Sequence, residues 1–140
     1  VVRRLADARA DLEVRVPGDD RPLLIRAAEE LQWDTVAHFA KRGADVRVRG
    51  PTGRAAIMYA SESGQEDLVW TLLRCRADPN VCDAKGDTPL IWACNRQLEG
   101  TMRLLWEGGA DADDAIARAR NPLMRQLLRE WSGARAPEDE

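Results

Sequence analysis

Apolar and small residues recur along the chain every 33 positions, and the same five registers are filled in three successive units. The recurring positions are Leu24, Ala27, Val36, Phe39 and Ala44 in the first unit; Ile57, Ala60, Val69, Leu72 and Ala77 in the second; and Leu90, Ala93, Met102, Leu105 and Ala110 in the third. A period of this length indicates stacked copies of one supersecondary unit, because a single unit cannot bury its apolar face alone.

The third unit shows most clearly how each copy divides into two short helices. Thr88-Pro89 follows the turn signal Gly86-Asp87 and is typical of a helix start, because threonine caps free N–H groups and proline needs no partner there. Gly108-Gly109 is expected to end the second helix, because glycine adopts the left-handed cap without penalty. The apolar positions at helical spacing are Leu90, Ala93 and Cys94 in the first helix and Met102, Leu105 and Trp106 in the second.

These features make the sequence resemble the ankyrin repeat family over roughly residues 17 to 115. The third unit carries the clearest match, in the run from Asp83 to Leu90, in Leu104-Leu105 and in Gly109-Ala110-Asp111. The resemblance implies an all-α fold, an ankyrin-repeat solenoid of stacked helix-turn-helix units. The departures from the family pattern concern the turns: Ile25, Met58 and Ile91 stand where the family usually has histidine, Ala55-Ala56 replaces Thr-Pro, and Arg76 replaces the glycine that ends the second helix.

We expect a single ankyrin-repeat domain over residues 1–131. The three repeats are assigned to residues 17–49, 50–82 and 83–115, after a partial N-terminal unit at 1–16. A shortened helix pair at 116–131 is expected to close the stack, because a solenoid needs a terminal unit with a polar outer face. Residues 132–140 are expected to form a flexible acidic tail.

Composition argues against several classes of partner. The chain has 21 basic and 24 acidic residues, so its net charge of −3 does not favour nucleic acid binding. The longest apolar run, Ala55 to Ala60, is far too short to insert into a membrane, and no signal peptide is visible. The odd cysteine count favours an intracellular, reducing compartment, either the cytoplasm or an organelle reached after transit-peptide cleavage. The three cysteines are Cys75, Cys82 and Cys94.

The reactive residues do not suggest an enzyme, a cofactor or a metal site. His38 is the single histidine, which excludes most metal sites and most triads of nucleophile, base and orienting group. Asp111, Asp113 and Asp114 cluster, but their spacing does not match a calcium loop. We expect these aspartates to cap the helix that follows them.

The resemblance implies that a partner protein binds the concave surface formed by the turn tips and the first helices. The residues carried over position by position are Asp19, Arg21, Glu29 and Glu30 in the first unit, Thr52, Arg54, Glu62 and Ser63 in the second, and Lys85, Asp87, Asn95 and Arg96 in the third. The last partial unit adds Arg118 and Arg120 as further candidates. The charge of this set changes from acidic at Glu29-Glu30 to basic at Arg96 and Arg120, which would orient a partner with the reverse gradient. The alternative is that these side chains are only the solvated faces of exposed helices.

Five tryptophans against one phenylalanine and one tyrosine are unusual for a chain of this length. Trp106 is expected in the core of its helix pair, and Trp131 over the last helix. Trp33 is expected to shield the junction of its two helices. Trp92 lies next to the buried apolar positions of its helix, and the pattern does not show whether its side chain is buried or exposed.

Trp70 differs from the other tryptophans. Its equivalents in the neighbouring units are Ala37 and Arg103, so it should face solvent on the convex side. Two roles remain open for it. One is stacking on Arg74, one helical turn away, and the other is a hydrophobic anchor for a partner, since tryptophan is enriched in binding hot spots.

Together these patterns predict a non-enzymatic protein–protein interaction module, with another protein as its partner and no small-molecule substrate. Its mechanism would be rigid display, in which stacked helices hold a binding surface that needs little reordering. The alternative is a small structural subunit that is permanently docked in a larger complex, organellar and membrane-associated complexes included.

Overall fold

The computed structural model describes Gly18 and residues 21–135 of the chain. Within these residues the chain forms eight helices, arranged as four consecutive pairs. The first helices of the pairs are α1 (Leu23–Glu29), α3 (Ala56–Glu62), α5 (Pro89–Asn95) and α7 (Ala112–Arg118), and the second helices are α2 (Trp33–Lys41), α4 (Glu66–Arg74), α6 (Glu99–Glu107) and α8 (Pro122–Arg135). The predicted all-α stack of helix-turn-helix units is confirmed.

In the stack, first helices pack against first helices and second helices against second helices. The core lies between these two rows of helices. First helices contact one another in the order α1, α3, α5 and α7, and second helices do so along α2, α4 and α6. All fifteen recurring apolar positions are at most 8% exposed. We call the surface made by α1, α3, α5 and the turns before them the first-helix face. The surface made by α2, α4, α6 and α8 is the second-helix face.

Local sequence fixes where these short helices begin. Thr88 Oγ1 accepts a hydrogen bond from the Ile91 N–H at 3.4 Å, with Pro89 in the first turn of α5, as predicted. Asp111 Oδ1 accepts one from the Asp113 N–H at 2.9 Å and so caps α7. In contrast, α3 begins after Ala55 without a side-chain cap.

In each repeat the turn that follows either helix uses the left-handed backbone conformation. The turn between the two helices places Leu31, Gly64 and Gln97 at φ of 60°, 71° and 60°. The turn after the second helix places Gly43, Arg76 and Gly109 at φ of 94°, 71° and 104°. Only glycine adopts this conformation without steric penalty, so three of the six turns carry backbone strain.

The last helix pair follows α6 without the long turn that precedes α3 and α5. As a result α7 begins 23 residues after α5 begins, where the repeat spacing is 33. Residues 112–115, which the sequence assigned to the third repeat, therefore belong to α7. Residues 132–135, assigned to the tail, continue α8. The predicted unit at 1–16 and residues 136–140 lie outside the described residues.

The expectation of a core position for Trp106 is wrong. This side chain is half-buried, and its ring lies 5.7 Å from the ring of Trp131, centroid to centroid. Leu105, which precedes it on α6, is fully buried. The helical pattern placed both residues on the buried side, but Met102 and Leu105 occupy the core and the Trp106 ring packs against Trp131 of the last helix instead.

Candidate protein-binding face

The 33-residue repeat arranges charged and aromatic side chains in rows across the first-helix face. Residues in the same register lie on adjacent repeats, so each row runs along the stack. The rows are Arg21, Arg54 and Asp87; Glu29, Glu62 and Asn95; and Arg26, Tyr59 and Trp92.

In the first repeat the two acidic residues of this face are paired with arginines. Arg21 forms an ion pair with Glu29, and the Nε of Arg26 donates to Glu30 at 3.2 Å. The Tyr59 hydroxyl of the next repeat donates to Glu29 Oε1 at 3.1 Å. The first and second repeats are thus joined through the Glu29 carboxylate.

In the second repeat Arg54 lies at the centre of the face. Its guanidinium carbon lies 4.3 Å from the Tyr59 ring centroid and 5.0 Å from that of Trp92, so the cation stacks between two rings. Arg54 also pairs with Glu62, whose other oxygen accepts from Arg96 at 3.0 Å. Among the described residues, neither the buried Nε of Arg54 nor the buried Nε1 of Trp92 has a hydrogen-bond partner.

In the third repeat the turn tip is held by an arginine from α7. Arg118 donates to the carbonyl oxygens of Gly86 and Lys85, the latter at 3.0 Å, and lies 3.4 Å from the Asp87 carboxylate. The Asn95 side chain accepts from the backbone N–H of Arg120 at 2.8 Å. These bonds fix the edge of the face against the last helix pair.

The electrostatics of the face are dominated by this internal pairing. Burial raises the pKa of Tyr59 above its usual 10.0, the Glu29 charge and the hydrogen bond to it raise it further, and Arg54 offsets part of the shift. Glu29, Glu30 and Arg96 all have oppositely charged partners on the same face. This pairing reduces the net field that the expected acidic-to-basic gradient would present to a partner.

The structure brings most of the predicted partner-binding residues together on the first-helix face. The exposed members are Glu30, Thr52, Ser63, Lys85 and Arg96, and the half-buried ones are Arg21, Glu29, Arg54, Glu62, Asp87 and Asn95. Trp70 lies on the second-helix face, and Asp19 lies outside the described residues.

Sequence reasoning missed Tyr59 and left Trp92 undecided. The register holds the signal for both, because Tyr59 and Trp92 follow Arg26 at intervals of 33. Arg118, named from the sequence as a candidate of the last partial unit, lies at the edge of the face and holds the turn tip of the third repeat.

The described residues hold no group of three or more histidine, cysteine, aspartate or glutamate side chains placed to bind a metal ion. Cys75, Cys82 and Cys94 are free thiols. Burial raises the pKa of the Cys94 thiol to about 12, which makes it a poor nucleophile at neutral pH. In the part of the chain that the structure describes, no helix has the length and apolar character needed to span a membrane.

The sequence matches the profile of a family described as ankyrin repeats (3 copies) over residues 57–127. It is 34% identical over 91 residues to an ankyrin repeat-containing protein of Treponema pallidum, a match that covers 64% of this chain and 30% of the relative.

Two further relatives are animal proteins. Ankyrin repeat domain-containing protein 63 of Homo sapiens is 38% identical over 88 residues, which cover 61% of this chain and 23% of that protein. Neurogenic locus notch homolog protein 1 of Danio rerio is 27% identical over 121 residues, which cover 86% of this chain and 5% of that protein. The chain thus spans less than a third of the length of these relatives. Its repeat spacing, its stacked helix pairs and the family match agree, and the chain belongs to the ankyrin repeat family.

Proposed function

We propose that this chain binds another protein through its first-helix face and has no catalytic activity of its own. Ankyrin repeats are in general protein–protein interaction modules. The observation that carries the proposal is the ordered cluster in which Arg54 stacks between Tyr59 and Trp92 while Glu62 joins it to Arg96. Arginine, tyrosine and tryptophan are the residue types that dominate binding hot spots.

The cluster is ordered before a partner arrives. Each guanidinium and carboxylate is already held by an ion pair, a ring or a backbone group of the next repeat. The side chains of this surface have therefore lost most of their conformational entropy during folding. Binding a partner restricts them little further, which lowers the entropic cost of association. Arg96 is the most accessible charged member, with 58% of its side chain exposed.

The same contacts argue against the other functions. The carboxylates of the face are paired with arginines rather than gathered in a pocket, so they do not supply the convergent acid and base that catalysis needs. We infer no nucleic acid, membrane insertion or small-molecule substrate for the chain. Its three free thiols are consistent with a reducing compartment.

The test is a comparison of three baits in affinity purification from the native source, with quantification of every co-eluting protein. The baits are the unaltered chain, Arg96→Glu on the first-helix face, and Arg42→Glu at the exposed end of α2 as a charge-matched control. We expect a partner that is retained by the chain and by Arg42→Glu but depleted with Arg96→Glu. Equal recovery with all three baits would contradict the proposed face.

The same purification separates a module from a permanently docked subunit. A partner that is released by a high-salt wash indicates a reversible interaction module. A partner that stays at fixed stoichiometry through that wash and through gel filtration indicates a subunit of a larger complex.

A further inference from the structure

The second-helix face carries an exposed aromatic side chain that plays no part in the proposed binding through the first-helix face. Trp70 on α4 is 51% exposed, on the side of the helix opposite the buried Leu68 and Leu72. The Arg74 guanidinium lies over its ring, 4.7 Å from the centroid. The predicted stacking is therefore present, but the ring remains accessible to a partner.

One repeat further along, the same face holds a second arginine–tryptophan group. Arg103 on α6 follows Trp70 by 33 positions and so lies on the adjacent second helix. Its guanidinium is 5.4 Å from the Trp131 ring centroid, and Trp131 in turn packs on Trp106. The two rings, Arg103 and Glu107 line a cleft of about 200 Å³. That volume is below the range of drug-sized ligand sites and suits a single side chain.

The arginines of the two faces differ in their partners. On the first-helix face Arg21, Arg54 and Arg96 each form an ion pair with a carboxylate, and Arg54 and Arg96 share Glu62. On the second-helix face neither Arg74 nor Arg103 forms an ion pair with any carboxylate that the structure describes. A guanidinium stacked on an indole has its plane fixed, while its N–H edge stays open for bidentate hydrogen bonds to a carboxylate.

We propose that the second-helix face is a separate docking surface for an acidic segment of another protein that carries one large apolar side chain. The apolar side chain enters the cleft lined by Trp106 and Trp131, and carboxylates bind the edges of Arg74 and Arg103. Glu107 at the cleft rim repels a carboxylate, so the cleft takes the apolar group and the acidic groups stay over the arginines. The Trp70 ring packs against the backbone and aliphatic carbons of the segment next to Arg74. This surface is independent of the first-helix face.

The experiment is selection from a random short-peptide display library on the immobilised chain, followed by fluorescence anisotropy with one enriched peptide. The variants are Trp70→Ala and the double variant Arg74→Gln/Arg103→Gln, all at exposed positions. The controls are Arg42→Gln, an exposed arginine that stacks on no aromatic ring of the described residues, and Arg96→Gln on the first-helix face. Thermal unfolding of each variant confirms that it is folded.

We expect enriched peptides that combine aspartate or glutamate with a large apolar residue. Their Kd should rise about tenfold for Trp70→Ala and for the double arginine variant, and stay unchanged for both controls. Enrichment of basic or uncharged peptides, no enrichment at all, or equal binding to the double variant would overturn the proposal. Peptides that Arg96→Gln alone weakens would support the first-helix face and refute this second surface.

Discussion

Tyr59 shows how one side chain links two repeats. It is the single tyrosine of the chain, so its ultraviolet titration is free of overlap. Its hydroxyl donates to Glu29 of the preceding repeat, and its ring lies under Arg54 of its own repeat. The stack is thus held together by polar contacts as well as by the core.

We predict that Tyr59 titrates above its usual pKa of 10.0 and that Glu29→Gln lowers this pKa without restoring the usual value. Burial is the largest cause of the raised pKa and remains in the variant, while the Glu29 charge is removed. Because the folded-state pKa is raised, the stabilisation is complete below pH 10 and is lost as the pH rises through the folded-state value. Spectrophotometric titration measures both proteins. An unchanged pKa in Glu29→Gln would show that the carboxylate does not act on the phenol.

Thr101 gives a second test at the residue scale. Its side chain is fully buried on α6, and its hydroxyl has no hydrogen-bond partner in the described part of the chain. The equivalent position on α4 is the apolar Leu68. Thr101→Val removes a buried unsatisfied hydroxyl at constant shape, so we predict a gain of about 1 kcal/mol in the free energy of unfolding.

Urea denaturation measures this gain. The control is Thr71→Val, where the hydroxyl already donates to the Asp67 carbonyl at 2.9 Å in an exposed setting. There the change should stay within about 0.5 kcal/mol. A loss of stability in Thr101→Val would mean that the hydroxyl is satisfied in solution.

At the residue scale, the burial of apolar side chains was predictable from the sequence. The residues with which the charged side chains form ion pairs and hydrogen bonds were not. The fifteen recurring apolar positions follow from periodicity alone, because a stacked unit has one buried side. The ion pairs of Arg54 and Arg118 depend on rotamers and on the neighbouring repeat. A long arginine side chain reaches several acceptors, so its sequence position does not select among them.

At the scale of the element, side-chain hydrogen bonds tie the turn after each second helix to the same turn of the next repeat. The Asn80 amide donates to the Gly109 carbonyl at 3.1 Å and accepts from the Asp111 N–H at 2.6 Å. One repeat earlier, the Nε of Arg47 donates to the Arg76 carbonyl at 2.8 Å. Equivalent positions in adjacent turns therefore perform the same function with different side chains.

The left-handed backbone at Arg76 allows a test of turn strain. Its equivalents are Gly43 and Gly109, and its side chain is exposed. Arg76→Gly removes the steric cost of the left-handed conformation, about 1–2 kcal/mol. Part of that gain is offset, because glycine also increases the conformational entropy of the unfolded chain. We predict a net gain of about 0.5–1 kcal/mol in the free energy of unfolding.

The matched control for this prediction is Arg129→Gly, the same substitution at an exposed position inside α8. There glycine should cost about 1 kcal/mol, because the helix interior has no strain to relieve. Denaturant unfolding of both variants therefore yields opposite signs. Destabilisation by Arg76→Gly would show that the strain is not significant at this turn.

Helix starts with a strong local signal were predictable, whereas the loss of a turn before the last pair was not. Thr88-Pro89 and Asp111 mark their helices because a cap is a local interaction. The 33-residue period placed residues 112–115 in the third repeat, but α7 already begins at Ala112, because the long turn that precedes α3 and α5 is missing. The period of the earlier repeats carries no information on where a terminal unit is shortened.

At the scale of the whole molecule, stability depends on interfaces between neighbouring pairs. In the described part of the chain the extensive contacts between helix pairs join neighbours, so a pair in the middle of the stack has an interface on both sides. Leu72 on α4 belongs to the middle and is fully buried. Its equivalents Phe39 and Leu105 lie on the two flanking second helices.

We therefore predict that Leu72→Ala lowers the free energy of unfolding by about 2–5 kcal/mol, because the cavity opens where two interfaces meet. The control is Leu123→Ala on α8, where the side chain is 65% exposed and truncation should cost less than about 0.5 kcal/mol. Urea denaturation followed by circular dichroism measures both. A cost below about 1 kcal/mol for Leu72→Ala would mean that adjacent repeats are not coupled through this register, and the stack would then unfold pair by pair rather than as one unit.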